Sequence, residues 1–163
     1  MPGHDEPGLV QTLDQLRAGY AWFRVQEAEK KGEEVLKKYT SLVKKLPAVI
    51  AGSGLGQALA FLRAKAKSDS TDDSVSSEKQ AHRLAYDDLD SWLRAKPGAQ
   101  FYVGPYVDAG DVLRGVREGS QERYRHARAE ALAVLSYLRL FADGLKKEKK
   151  AGKENGDAGA AAS

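Results

Sequence analysis

Glu33-Glu34-Val35-Leu36-Lys37-Lys38-Tyr39-Thr40-Ser41-Leu42-Val43-Lys44-Lys45-Leu46-Pro47 is the stretch that decides the fold. Val35, Tyr39, Leu42 and Leu46 recur at steps of three and four residues. At 100° per residue that spacing puts all of them on one face of a helix. Lys37 and Lys44 fall opposite that face, while Lys38 and Lys45 flank it. Pro47 lacks an N–H and its ring crowds the preceding turn, so the helix is expected to end or bend there.

The same period extends in both directions. Upstream, Thr12 and Gln15 have capping-box spacing, in which hydroxyl and amide each serve an orphan backbone N–H. Leu13, Leu16, Tyr20 and Phe23 follow at helical spacing until Gly32 stops the helix. Downstream, Leu55, Leu59 and Leu62 align over Leu55 to Lys67. Residues 68–76 are a polar loop. Ser77 and Gln80 repeat the capping-box spacing before a helix with Leu84, Leu89, Trp92 and Leu93, closed by Lys96-Pro97-Gly98. Residues 99–119 are punctuated by glycine, with one short helix expected around Val107–Val116. Ser120 caps the last helix, which reaches at least Phe141 and is apolar almost all round from Ala131 to Ala142, a sign of burial on several sides.

No alternating strand pattern of useful length is present. The expectation is an all-α protein, a compact bundle of about five to six helices forming one domain over residues 12–150. Residues 1–11, with two prolines and two glycines, read as a flexible lead, and 151–163 as a disordered tail.

Composition narrows the function classes. The chain has 163 residues, 42% hydrophobic and 30% charged, enough for one core and its polar coat. Cysteine is absent, which excludes disulfides and thiolate metal sites. No run approaches the roughly 18 apolar residues of a membrane span, and the acidic start, Met1 to Glu6, is not a secretory signal. A cytoplasmic location is expected. Met1 is the only methionine and Asn155 the only asparagine, a depletion of thermolabile side chains typical of thermophiles.

No catalytic constellation emerges. Gly52-Ser53-Gly54-Leu55-Gly56-Gln57 mimics a dinucleotide-binding turn, but Gln57 stands where the third glycine is needed and no further strand–helix units follow. A helix–kink–helix junction fits better. His4, His82 and His126 have no paired metal-ligand spacing, and the two helical ones read as solvated. Asp87, Asp88 and Asp90 read as a charged helix face rather than a cation loop. No metal, cofactor or small-molecule substrate is expected, and no enzymatic activity.

The net charge of +3 is small, but its distribution is uneven. Besides the lysines of the second helix, Arg63, Lys65 and Lys67 close the third, and Lys146, Lys147, Lys149 and Lys150 close the last. Cations near a helix C-terminus gain about 0.3–1 kcal/mol each from the macrodipole, which would account for them structurally. The functional alternative is a surface following a phosphate backbone. Trp22 lies about 180° from Leu13 on its helix, and Phe61 is likewise off the main face of its own. For Phe61 core packing is the simpler account. For Trp22 a subunit contact is equally in view.

The segment from Tyr39 to Leu62, with Leu42-Val43-Lys44-Lys45-Leu46-Pro47, Ile50 and Gly54-Leu55-Gly56-Gln57-Ala58-Leu59-Ala60-Phe61-Leu62, closely resembles the small subunit of the type III-B (Cmr) CRISPR effector complex. Arg17, Tyr20-Ala21, Tyr86-Asp87, Trp92-Leu93, Tyr124-Arg125 and Glu130-Ala131-Leu132 agree in order and spacing. The resemblance spans roughly residues 12–145, and Gly52-Ser53 stands where the family pattern has a Thr-Asn-like pair.

That resemblance implies a small all-α protein without catalytic activity. Such subunits stack side by side into a short filament, beside the backbone subunits that hold the CRISPR RNA and near a large polymerase-like subunit. Their basic surface follows the guide RNA–target RNA duplex, and target cleavage belongs to the backbone subunits. The partners implied are those subunits, further copies of the chain itself and the duplex. Lys37, Lys44, Lys45, Arg63, Lys65 and Lys67 are the candidate nucleic-acid contacts. Trp22, Gly54, Leu55, Gly56 and Gln57 are the candidate subunit contacts. The alternative is a free-standing helical nucleic-acid-binding protein.

Overall fold

The computed structural model describes residues 11–67, 76–94 and 111–160, with side chains through 156. Within them lie six helices and no strand: α1 (Leu13–Lys30), α2 (Glu33–Ser53), α3 (Leu55–Ala66), α4 (Ser77–Leu93), α5 (Val112–Glu118) and α6 (Gln121–Ala160). The expected lead over 1–10, the loop at 68–75 and the helix stop at Lys96-Pro97-Gly98 fall outside the described residues.

Helix α2 is the axis of the bundle and packs on α6, α4, α3 and α1. Val35, Tyr39, Leu42 and Leu46 are all buried, and Leu36, Val43 and Ile50 widen the stripe. A helix contacted from several directions needs this breadth. Truncating a filled position such as Leu46 to alanine costs roughly 2–5 kcal/mol. Helix α2 runs through Pro47 to Ser53 instead of ending there. The proline forfeits one ladder bond, and burial of Leu46 before it and Ile50 after it keeps both sides in register.

The caps follow local chemistry. The Thr12 hydroxyl accepts from Gln15 N at 3.2 Å, and the Gln15 side chain accepts from Thr12 N at 2.8 Å, completing the capping box. Ser120 caps α6 through the Arg123 N–H. At α4 the cap is Ser76, which accepts from Lys79 N, rather than Ser77.

Helix α1 differs from its expected face. Its buried residues are Tyr20, Ala21, Val25 and Ala28, whereas Leu13 and Phe23 are exposed. Small residues let α1 sit close on α6, and that stripe carries too little hydrophobic contrast to dominate the sequence pattern. In α6, Ala131, Val134, Leu135, Leu138 and Ala142 are buried but Leu140 is 60% exposed, so burial is one-sided rather than all round. Helix α6 also continues through Lys150 to Ala160, where a disordered tail was expected. Lys149 and Lys153 meet Glu29 and Glu33 across the bundle, and Ala, Lys and Glu are strong helix formers.

Candidate nucleic-acid interface and subunit surface

Charged side chains divide into those consumed inside the bundle and those left on its surface. Asp88 of α4 is buried; it accepts from the Arg24 guanidinium and from the Tyr39 hydroxyl at 2.6 Å. The Tyr20 hydroxyl donates to the Asp88 carbonyl at 2.5 Å. Burial raises the Asp88 carboxyl above its ordinary value, against the pull of Arg24 and Tyr39, and burial likewise raises the Tyr20 and Tyr39 phenols. Glu130 of α6, also buried, takes a two-pronged contact from Arg17, both bonds 2.7 Å, and a third from Trp92 Nε1 at 3.0 Å. These groups pin α1 to α4 and α6.

Asp88 therefore belongs to the interior, not to the charged face expected of Asp87, Asp88 and Asp90. Asp90 accepts from Arg94 and from Val112 N at 2.9 Å, tying α4 to the start of α5. His82 is buried too, its Nδ1 2.7 Å from the Glu78 carbonyl and its ring edge-on to Phe61. A polar sequence neighbourhood suggested solvent there, but i−4 carbonyl bonding satisfies one nitrogen within the helix. Among the described residues no group of three or more His, Asp or Glu is arranged to hold a metal ion. No described helix is long and apolar enough to cross a membrane.

The six candidate nucleic-acid residues are all exposed but do not share one environment. Lys44 bonds Asp143 of α6 at 3.0 Å, and Lys147 bonds the other oxygen at the same distance. Those two bonds hold the Asp143 carboxyl below its ordinary value. Arg63 pairs with Asp111, the cap of α5, at 2.6 Å. Asp111 also accepts from the Tyr86 hydroxyl and the Leu113 N–H. Burial opposes its ionisation, yet these donors and Arg63 together lower its carboxyl. Lys44 and Arg63 are thus partly structural. Lys37, Lys45, Lys65 and Lys67 make no ion pair among the described residues.

Lys37 is joined by four lysines that were not among the candidate nucleic-acid contacts. Lys37 of α2 lies across from Lys146, Lys149, Lys150 and Lys153 of α6 in an open groove of about 210 Å³ lined also by Glu33, Glu34 and Leu36. The sequence carried the signal, since 146, 149, 150 and 153 are spaced three and four apart. What hid it was the assumption that α6 ends near Lys150.

The glycine junction is a packed corner. Gly54 has φ +90° and ψ 161°, closed to residues with a Cβ. Leu55 is fully buried, so its expected role as a direct subunit contact is corrected to a core one. The Gly56 N–H points to the Tyr124 hydroxyl at 3.4 Å. Gly56 and Gln57 line a shallow cleft with Val116, Leu113 and Tyr124. Trp22 is 44% exposed, its ring edge-on to Phe141 at 5.5 Å, with Tyr137 stacked beyond Phe141 at 5.8 Å. Phe61 is 41% exposed, although core packing was the simpler expectation.

Residues 13–145 match the model of the family described as CRISPR-associated protein (Cas_Cmr5). Among curated proteins, the CRISPR system Cmr subunit Cmr5 of Thermus thermophilus is 27% identical over 139 residues, which cover 85% of this chain and 100% of that protein. Among solved structures, that of a CRISPR-associated Cmr5 family protein from Thermus thermophilus superposes with a TM-score of 0.55 at 28% identity. The superposition covers 83% of this chain and 98% of the other.

Proposed function

This chain belongs to the Cas_Cmr5 family of CRISPR-associated proteins, and from that premise we propose that it holds RNA within the effector by a basic surface while performing no chemistry of its own. Family membership makes it a small subunit of a type III-B CRISPR complex. In the proposed assembly, copies stack beside the backbone subunits, and lysines contact phosphates and sugars of the guide–target duplex. Pairing with the guide then supplies all sequence specificity.

The observation that carries the RNA-holding role is the division of charge. Buried Asp88 and Glu130 are matched by Arg24 and Arg17, whereas Lys37, Lys45, Lys65 and Lys67 stand exposed without ion pairs among the described residues. Such cations add little to folding and suit weak phosphate contacts that repetition along a filament multiplies. The aromatic surface of Trp22 and the cleft at Gly56 and Gln57 are assigned to neighbouring subunits.

The test is co-purification with the other complex subunits and guide RNA, with and without complementary RNA. Lys44 is a poor reporter, because its reversal would also repel Asp143. Lys45→Glu combined with Lys65→Glu and Lys67→Glu is expected to leave incorporation intact and lower target retention. Unchanged retention would refute the RNA-holding role, and failure of the unaltered chain to incorporate would refute the subunit role.

A further inference from the structure

The packing of α6 ends well before the helix does. Among the described residues, Ala142 is its last buried one and Leu145 its last hydrophobic side chain set against the core. The helix itself runs on to Ala160. We propose that residues 146–160 are a two-position arm, held docked along the α1–α2 corner by Lys149–Glu29 and Lys153–Glu33 and able to undock while the bundle stays folded. The proposal goes beyond the RNA-holding role and does not depend on it, because it concerns the isolated chain.

The arm is separable because the bundle's core is complete without it. Every residue of the hydrophobic core cluster, and every hydrophobic residue packed on that cluster, precedes Lys146. Residues 13–145 are also the part that matches the family model, so family fold and apolar packing stop at the same point. From Lys146 to Gly156 every residue is exposed except Lys149, which is partly covered. Apolar burial therefore does not hold the arm; its contacts are electrostatic.

Two contacts cross from the arm to the corner. Lys153 Nζ donates to both Glu33 carboxylate oxygens at 2.7 Å, and Lys149 Nζ lies 3.8 Å from Glu29. The bonds from Lys153, helped by Lys149 and Lys37, hold the Glu33 carboxyl below its ordinary value. Three features oppose docking. Gly152 and Gly156 weaken the helix relative to alanine, and close packing does not require them, since a Cβ on either would meet nothing within 4 Å. Lys146, Lys149, Lys150 and Lys153 stand three or four residues apart and repel one another along one face. Lys37 faces them across the groove without an ion pair among the described residues. Exposed ion pairs are individually weak, so the two positions lie close in free energy and the two glutamates decide between them. Redocking needs no fresh nucleus, because the arm extends a helix already formed. A neighbour that offers a better anion to Lys149 and Lys153, or a better cation to Glu29 and Glu33, frees it. Docked, the arm lengthens α6 past the start of α2; free, it is a lysine-rich tail.

The experiment is hydrogen–deuterium exchange of the full chain, read by mass spectrometry in peptides from the arm and from residues 127–142. Glu29→Gln combined with Glu33→Gln should speed exchange across the arm about tenfold while residues 127–142 keep their protection. Glu33→Lys should act in the same direction. Glu33→Lys together with Lys153→Glu should restore slow exchange, because the pair is rebuilt with its signs exchanged. Thermal melts should move little in any of these variants, since the arm lies outside the core. Faster exchange spreading into residues 127–142 would make the arm part of the global unfolding unit and overturn the proposal. So would unchanged exchange in the glutamine variant, no rescue by the exchanged pair, or an arm already unprotected in the unaltered chain.

Discussion

The hydroxyl of Tyr124, on the first turn of α6, lies 2.9 Å from where a Cβ on Gly54 would stand. Gly54 joins α2 to α3 with φ at +90°, so backbone conformation and the space around it both demand glycine. Gly54→Ala should lower stability by about 1–3 kcal/mol from the backbone alone. Adding Tyr124→Phe should recover the steric part and leave the conformational part. Urea unfolding of the two single variants and the double variant separates them; an additive double variant would show that the hydroxyl is not the obstacle.

Asp88→Ala should cost roughly 3–5 kcal/mol, because it leaves the Arg24 cation and the Tyr39 hydroxyl without their shared acceptor. Asp88→Asn keeps an acceptor for one of them and should cost less. Denaturant midpoints decide this, and equal midpoints for both variants would mean that the ion pair contributes nothing specific.

Acid should loosen the seam between α2 and α6. The Asp143 carboxyl lies below its ordinary value of 3.8 because Lys44 and Lys147 hydrogen-bond it. A depressed carboxylate contributes stability that is present above that value and lost as pH falls through the folded one. Asp143→Asn should therefore be less stable than the unaltered chain at pH 6, with the gap closing below about pH 4. Melting temperatures across that range test it, and a gap constant with pH would remove Asp143 from the account.

Trp22→Ala should barely disturb the isolated fold, since the ring is half-exposed and packs edge-on to Phe141. Loss of that aromatic pair is worth about 0.5–1.5 kcal/mol. Incorporation into the effector complex should fall much further than the melting temperature does. Normal co-assembly of the variant would take Trp22 out of the subunit surface.

The helices and the core of α2 were legible because burial on one side writes a 3.6-residue period into the sequence. Thr12 and Ser120 were legible as caps for an equally local reason. What escaped depends on neighbours distant in sequence. Asp88 resembles any surface aspartate until Arg24 and Tyr39 close over it, and His82 resembles a solvated histidine until it packs edge-on to Phe61. Leu55 sits in a motif conspicuous enough to suggest a surface, yet it is core. The end of α6 was misjudged because its helical partners, Glu29 and Glu33, lie more than a hundred residues away. The lysines were visible as residues, but their grouping into a groove was not.

Helix α6 meets the Gly54 corner through Tyr124 and the opposite end of α2 through Lys153 and Glu33. From Tyr124 to Lys153 it covers roughly 44 Å at 1.5 Å per residue. It is a splint laid along the full length of α2 and fastened at both tips. Fraying at either tip of α2 must then break a contact to the same rod, so the hydrogen-bonded amides of its last turn should exchange more slowly than those of an unsupported helix end.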